Sequence, residues 1–132
     1  MFESYSQFPC PCCGHEVFRL PPGHHETCPI CAWEDDIAQL RFPGLVGGAN
    51  PCSLIEAQDT YQQCGAATRR RLALVREPLP SEHRDPAWRP LDPARDNPER
   101  PSRDTGYANS YPYDDPTVLY YWRPTYWRRI VG

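Results

Sequence analysis

The chain has 132 residues, of which only 22 are Leu, Ile, Val or Phe while 25 are Pro or Gly. That aliphatic share lies below the roughly one fifth from which a self-sufficient apolar core is built, which excludes a long helical bundle or a coiled coil. The deficit calls for another stabilising device, for which seven cysteines are the candidates. The net charge of −3 divides unevenly: residues 1–68 carry two arginines against eight acids, and residues 69–132 twelve arginines against nine acids. An acidic head argues against nucleic acid as its main partner.

No stretch approaches the roughly 20 apolar residues of a membrane span. Met1 to Phe8 shows neither a basic start nor an apolar run, so no signal peptide is expected there and the cytoplasm is the expected location. Thiols stay reduced in that compartment, and cysteine pairs there hold metal or do redox chemistry more often than they form disulfides. All fourteen basic residues are arginines, which a GC-rich genome explains.

In chain order, Tyr5 to Phe8 and Glu16 to Leu20 read as short strands entering and leaving a turn, the second ended by Pro21-Pro22-Gly23. The turn is Cys10-Pro11-Cys12-Cys13-Gly14, and Cys28-Pro29-Ile30-Cys31 repeats its pattern. In each copy the proline after the first cysteine sets φ for a tight turn, both sulfurs point inward, and backbone N–H groups can donate to them. Gly14 stands where the first turn must swing back. The whole is C-x2-C-x14-C-x2-C, close to the spacing of a two-knuckle tetrahedral zinc site. Four thiolates of Cys10, Cys13, Cys28 and Cys31 at about 2.3 Å leave no open position, so the site is expected to be structural. Its binding free energy, on the order of 10 kcal/mol, becomes folding free energy. One Zn²⁺ is preferred over iron, since nothing in the sequence points to electron transfer.

Cys12, inside the first turn, has three readings: a substitute ligand, a packed thiol, or a reactive thiol beside the metal. Trp33-Glu34-Asp35-Asp36 follows the second turn at once. Trp33 is expected to pack over it. The acids read as a docking patch for a cationic partner, as a second site for a hard cation, or as a helix start with Asp35 or Asp36 capping Ile37–Leu40.

Leu45 to Pro51, with Gly47-Gly48-Ala49-Asn50, reads as an irregular loop. Ser53-Leu54-Ile55-Glu56 is a capping box opening a helix whose apolar stripe is Leu54, Ala57, Tyr61 and Cys64, with Gly65 as its C-terminal cap. Arg69-Arg70-Arg71 follows, beside the negative end of that helix or opening another turn. Seven prolines between Pro78 and Pro101 make an extended segment. The stretch from Thr105 to Trp127 holds eight aromatics, and Val118 to Trp122 could pair with Tyr126 to Ile130 as a hairpin. That end is expected to dock, on its own head or on a partner, with Tyr120, Trp122 and Trp127 as contact residues.

The expected architecture is therefore small α+β: a zinc-ribbon-like two-knuckle head with short strands and one helix at residues 1–77, a Pro-rich linker or strap at 78–104, and an aromatic, Arg-rich docking segment at 105–132. The two cysteine turns, Trp33-Glu34-Asp35-Asp36, Gly47-Gly48-Ala49-Asn50 and Ser53-Leu54-Ile55-Glu56-Ala57 together resemble the bacterial cysteine-rich CPCC family over about residues 8–67. The resemblance implies a small bacterial cysteine-rich domain in the cytosol, and an immunity role of the kind played by accessory proteins beside polymorphic toxins.

Three functions follow for weighing. A zinc-stapled module could bind a partner protein with a basic surface through Trp33, Glu34, Asp35, Asp36 and the aromatic tail. A zinc ribbon could bind nucleic acid through the arginines and stackable rings of the tail. An enzyme using Cys12 with His15, His24 or His25 as base ranks last, because no spacing specifies such a pair.

Overall fold

A computed structural model describes residues 8–100 and 114–129. Strands β1 (Phe8–Pro9) and β2 (Glu16–Phe18) pair antiparallel with Phe8 opposite Phe18, and the loop between them carries the first cysteine turn. The second strand stops at Phe18, short of the expected Leu20; Tyr5 to Gln7 lie outside the described residues. Residues of the later chain lengthen this small sheet: Glu16 N–H donates to His83 O at 2.8 Å, and Asp85 N–H to Gly14 O at 2.8 Å.

Two α-helices form rather than one. Helix α1 (Ile37–Arg41) is only five residues long, but Asp36 Oδ1 accepts from the N–H groups of Ala38 and Gln39 and satisfies its free first turn. Helix α2 (Leu54–Cys64) opens on the Ser53/Glu56 capping box, both halves of which are made. It closes at Gly65, whose φ of +87° lets its N–H reach Tyr61 O. Arg69–Leu74 and Pro116–Leu119 are 3₁₀ helices.

The expected hairpin at 118–130 does not form. Leu119, Tyr120, Tyr121 and Trp122 are all buried in succession, whereas a strand would turn alternate side chains to water. The chain instead makes tight turns, with Arg123 N–H to Tyr120 O, Tyr126 N–H to Arg123 O and Arg129 N–H to Tyr126 O; Ile130 lies outside the described residues.

The core joins sulfur and rings. Cys10, Cys12, Cys13, Cys28 and Cys31 pack with Phe18, Ile30, Trp33, Leu40, Leu54, Leu119, Tyr120, Tyr121 and Trp122. Large aromatic surfaces from the end of the chain thus make up for scarce aliphatic residues. Cys52 packs at the edge of this core, and Cys64 is half-buried outside it.

Between Pro78 and Arg100 the chain forms neither helix nor strand but is tied down at several points. Trp88 Nε1 donates to Pro11 O at 3.0 Å, and Arg41 makes a bidentate pair with Glu99 at 2.7 and 2.9 Å. Gln58, buried on α2, gathers three segments: its Nε2 donates to Pro11 O and Tyr121 Oη, and its Oε1 accepts from Leu91 N–H, each at 2.9 Å. No helix among the described residues is long and apolar enough to cross a membrane.

Candidate metal centre

The two cysteine turns share one backbone geometry. In the first, Cys10 N–H donates to His15 O at 2.9 Å and Gly14 N–H to Cys10 O at 2.7 Å; in the second, Cys28 N–H donates to Trp33 O at 2.8 Å and Ala32 N–H to Cys28 O at 2.9 Å. The fifth residue of each adopts positive φ, +82° at Gly14 and +68° at Ala32. Ala32 therefore takes a conformation that normally favours glycine, and nothing in its residue type announces the role. Ile30 N–H points at Cys28 Sγ, 3.4 Å away, the kind of donor that stabilises a bound thiolate.

Apposed, the turns bring Cys10, Cys13, Cys28 and Cys31 together, with all four sulfurs within 4.8 Å of one another. Cys10 Sγ lies 3.6 Å from Cys31 Sγ, and Cys13 Sγ 3.8 Å from Cys28 Sγ. Four sulfurs each about 2.3 Å from one ion stand about 3.8 Å apart in a tetrahedron, so the donor set fits a single soft divalent ion. There is no room between the sulfurs for a bridged cluster of irons and sulfides.

All four thiols are buried to within 1% of complete. Burial pushes Cys10 and Cys31 well above the ordinary thiol range. The same burial opposes ionisation of Cys28, but hydrogen bonds from Cys10, Cys13 and Cys31 override it and hold Cys28 well below that range. A cation placed among the four sulfurs would offset the cost of ionising thiols buried in this way.

Cys12 is fully buried beside this cage and outside the four-sulfur set. Burial pushes its thiol up, despite an opposing hydrogen bond to Cys31. These surroundings are those of a packed thiol, the reverse of the exposed, acidified ones that activate a nucleophile. The histidines stand apart from the set: His15 Nδ1 bonds Glu82 O at 2.8 Å, and His24 packs edge-on against Phe18 with its Nδ1 accepting from Glu26 N–H.

The residues following the second turn are engaged mostly inside the fold: Trp33 packs as expected, and Asp36 caps α1, the helix-start reading of these acids. Trp33 is completely buried. Asp35 Oδ2 collects the N–H groups of Gly23, His24 and His25 at 2.7, 2.7 and 3.1 Å, fixing the loop after β2. Asp36 caps α1 with one oxygen and takes Ala49 N–H with the other at 2.8 Å. Both carboxylates are thus engaged by backbone donors. Glu34 alone of the four keeps substantial side-chain surface. Its backbone pairs with the Asn50 amide, N–H to Oδ1 at 2.9 Å and O from Nδ2 at 2.7 Å.

The described part of the tail docks on its own head, one of its two expected positions. Tyr120 and Trp122 are buried, stacked at 4.8 Å, and Trp122 Nε1 donates to Asp85 Oδ2 at 2.9 Å. Burial pushes the Tyr120 and Tyr121 hydroxyls far up, so both rings stay neutral. Among the expected contact rings only Trp127 stays half-exposed. Rings packed in a core cannot stack on bases, so Tyr120 and Trp122 are not available for that contact.

Sequence reasoning missed Gln39 and Asn50, which are fully buried. Gln39 Nε2 donates to Leu45 O, Asn50 O and Cys52 O, while its Oε1 accepts from Asn50 N–H and Nδ2. The pair is saturated and holds the Gly47–Asn50 loop against α1.

The sequence model of a family described as "Cysteine-rich CPCC" matches residues 8–82, reaching fifteen residues beyond the expected end at about 67. No curated protein matches the chain.

Proposed function

The chain belongs to the cysteine-rich CPCC family, and from that premise and its four-sulfur cage we propose that it is a zinc-stabilised module that acts by binding another protein, without catalysis. The observation that carries this reading is the buried cluster of four thiols, Cys10, Cys13, Cys28 and Cys31, within 4.8 Å of one another. An all-thiolate set suits Zn²⁺, uses all four positions and leaves none for an activated water. When bound, the ion supplies cross-linking of two turns far apart in sequence and no reaction chemistry. A core so poor in aliphatic residues draws its stability from that cross-link.

Binding to a protein fits what remains outside. Glu26, Glu56 and Asp59 are exposed and Glu34 half-exposed on the head, a set that suits a basic surface. Inhibition of a toxin, the role implied by the resemblance to immunity proteins, is one form such binding would take. Native mass spectrometry of the protein purified from its own cells tests the reading. One zinc per chain with a basic protein retained supports it. One zinc with nucleic acid carried along instead transfers the role to nucleic-acid binding.

A further inference from the structure

Each cysteine turn is clasped from outside at the same three backbone carbonyls, those of its second, fourth and fifth residues. In the first turn, Pro11 O accepts from Trp88 Nε1 at 3.0 Å, Cys13 O from Arg84 Nε at 3.0 Å, and Gly14 O from Asp85 N–H at 2.8 Å. In the second, Pro29 O accepts from Arg76 N–H at 3.2 Å, Cys31 O from Ala67 N–H at 2.7 Å, and Ala32 O from Arg71 Nη1 at 2.8 Å. One later segment, 84–88, serves the first turn, and another, 67–76, serves the second. In each clasp two of these donors are neutral and the third is an arginine guanidinium.

These two arginines differ from others nearby. Arg76, Arg89 and Arg123 are paired with Glu82, Asp96 and Asp85. Arg71 and Arg84 have no carboxylate partner among the described residues. Apart from the turn carbonyls, Arg71 reaches the neutral Asn50 Oδ1 at 3.3 Å, and Arg84 lies over the Trp88 ring, 5.2 Å from its centroid. One uncompensated positive charge is therefore bonded to each turn. It meets the first at Cys13, a member of the four-sulfur set, and the second at Ala32, the residue next to Cys31.

The loaded cage has the opposite sign. Four thiolates around one Zn²⁺ sum to about −2, and a charge on buried sulfurs is costly unless balanced. Two guanidinia, one on each turn, match that charge in number and sign.

We propose that Arg71 and Arg84 are positioning residues of the metal centre: each fixes one cysteine turn and sets its positive charge against the negative charge of the loaded cage, which raises metal affinity. Both roles rest on the metal-binding reading of the four thiols. They add to it two residues outside the cysteine motif, one of which, Arg84, lies beyond the family match.

The test is competition for zinc between the full chain and a chelator of known affinity, at about 0.1 M and about 1 M salt, where the screening length falls from about 10 to about 3 Å. Arg71→Gln and Arg84→Gln should each weaken zinc binding about tenfold at the lower salt, the effect expected when an outer-shell partner is lost. Raising the salt should narrow the gap to wild type. Arg71→Lys and Arg84→Lys, which keep the charge, should bind within a few-fold of wild type. Arg70→Gln, on the same 3₁₀ helix as Arg71 but exposed, should bind as wild type does. Near-ultraviolet circular dichroism of the zinc-saturated samples reports the fold. If a Gln variant fails to fold even with zinc, its Lys counterpart decides: binding within a few-fold of wild type supports the proposal, and a tenfold loss overturns it. Gln variants that hold zinc as tightly as wild type overturn it. A gap that lysine fails to close, or that high salt leaves unchanged, overturns the charge role too. A wild-type chain that takes up no zinc is a different failure, which removes the metal-binding reading itself and this proposal with it.

Discussion

Gly14 lies against the ring of Trp88 so closely that a Cβ placed on it would sit 2.6 Å from both Cγ and Cδ2 of the indole. The same indole donates to Pro11 O, inside the first cysteine turn. A residue beyond the family match thus braces the turn that bears Cys10 and Cys13, and the absence of a side chain at position 14 makes room for it.

Substituting Gly14→Ala combines a φ of +82° with that collision. The variant should lose about 2 to 4 kcal/mol in urea unfolding, from left-handed strain and overpacking together. Trp88→Ala introduced into it should recover part of the loss. Strict additivity of the two changes would show that the contact is not the cause.

At Gln58, three hydrogen bonds converge in a buried place. Gln58→Leu leaves Pro11 O, Tyr121 Oη and Leu91 N–H short of a partner and should cost about 3 kcal/mol or more, against about 1 kcal/mol for Tyr121→Phe. The two should couple in a double-mutant cycle. A Gln58→Leu variant as stable as wild type would refute the role given to this side chain.

Asp96 is gripped by Arg89 at 2.8 and 2.6 Å and by Asp92 N–H at 2.7 Å. Burial resists its ionisation, but these partners outweigh burial and hold the carboxyl below its ordinary value. A depressed folded pKa gives stability that is complete above the unfolded value, about 3.9, and is lost as pH falls through the folded one. The difference in melting temperature between wild type and Asp96→Asn should accordingly be constant above about pH 5 and shrink below about pH 4. A difference that grows on acidification would reverse the assignment.

Asp36 joins the α1 cap to the Gly47–Asn50 loop through its two oxygens. Removing both functions in Asp36→Ala should cost about 1 to 2 kcal/mol for the cap, with more for the freed loop N–H. Amide hydrogen exchange at Ala49 should quicken in this variant. Unchanged protection there would break the link between cap and loop.

What could be read ahead of the structure was local. The prolines and spacing of the cysteine turns act within a few residues, as do the Ser53/Glu56 box and Gly65, and these features recur in the fold. The acids after Trp33 were legible in part: the Asp36 cap is local and was among their readings, whereas the N–H groups of Gly23 to His25 and of Ala49 are brought to them only by tertiary folding. The aromatic run at 119–122 was legible as a docking segment, but composition does not decide between the chain's own head and a partner; the fold places it on the head. A signal did exist for Gln58, which lies four residues after Leu54 and three before Tyr61 on the apolar stripe of α2. A polar residue on such a stripe implies a buried network. Asn50 stood in the Gly47-Gly48-Ala49-Asn50 motif without its buried role being evident, and Gln39 carried no mark.

In the proposed function, one ion held by Cys10, Cys13, Cys28 and Cys31 maintains the fold. Native mass spectrometry before and after chelation, with near-ultraviolet circular dichroism of the buried Trp33 and Trp122 on the same samples, tests it most directly. The prediction is a chain of 15.2 kDa carrying one zinc, whose aromatic signal collapses as the metal leaves and returns when zinc is restored. A metal-free chain that keeps its aromatic signal, or a Cys10→Ser, Cys28→Ser variant that keeps both metal and signal, would contradict it.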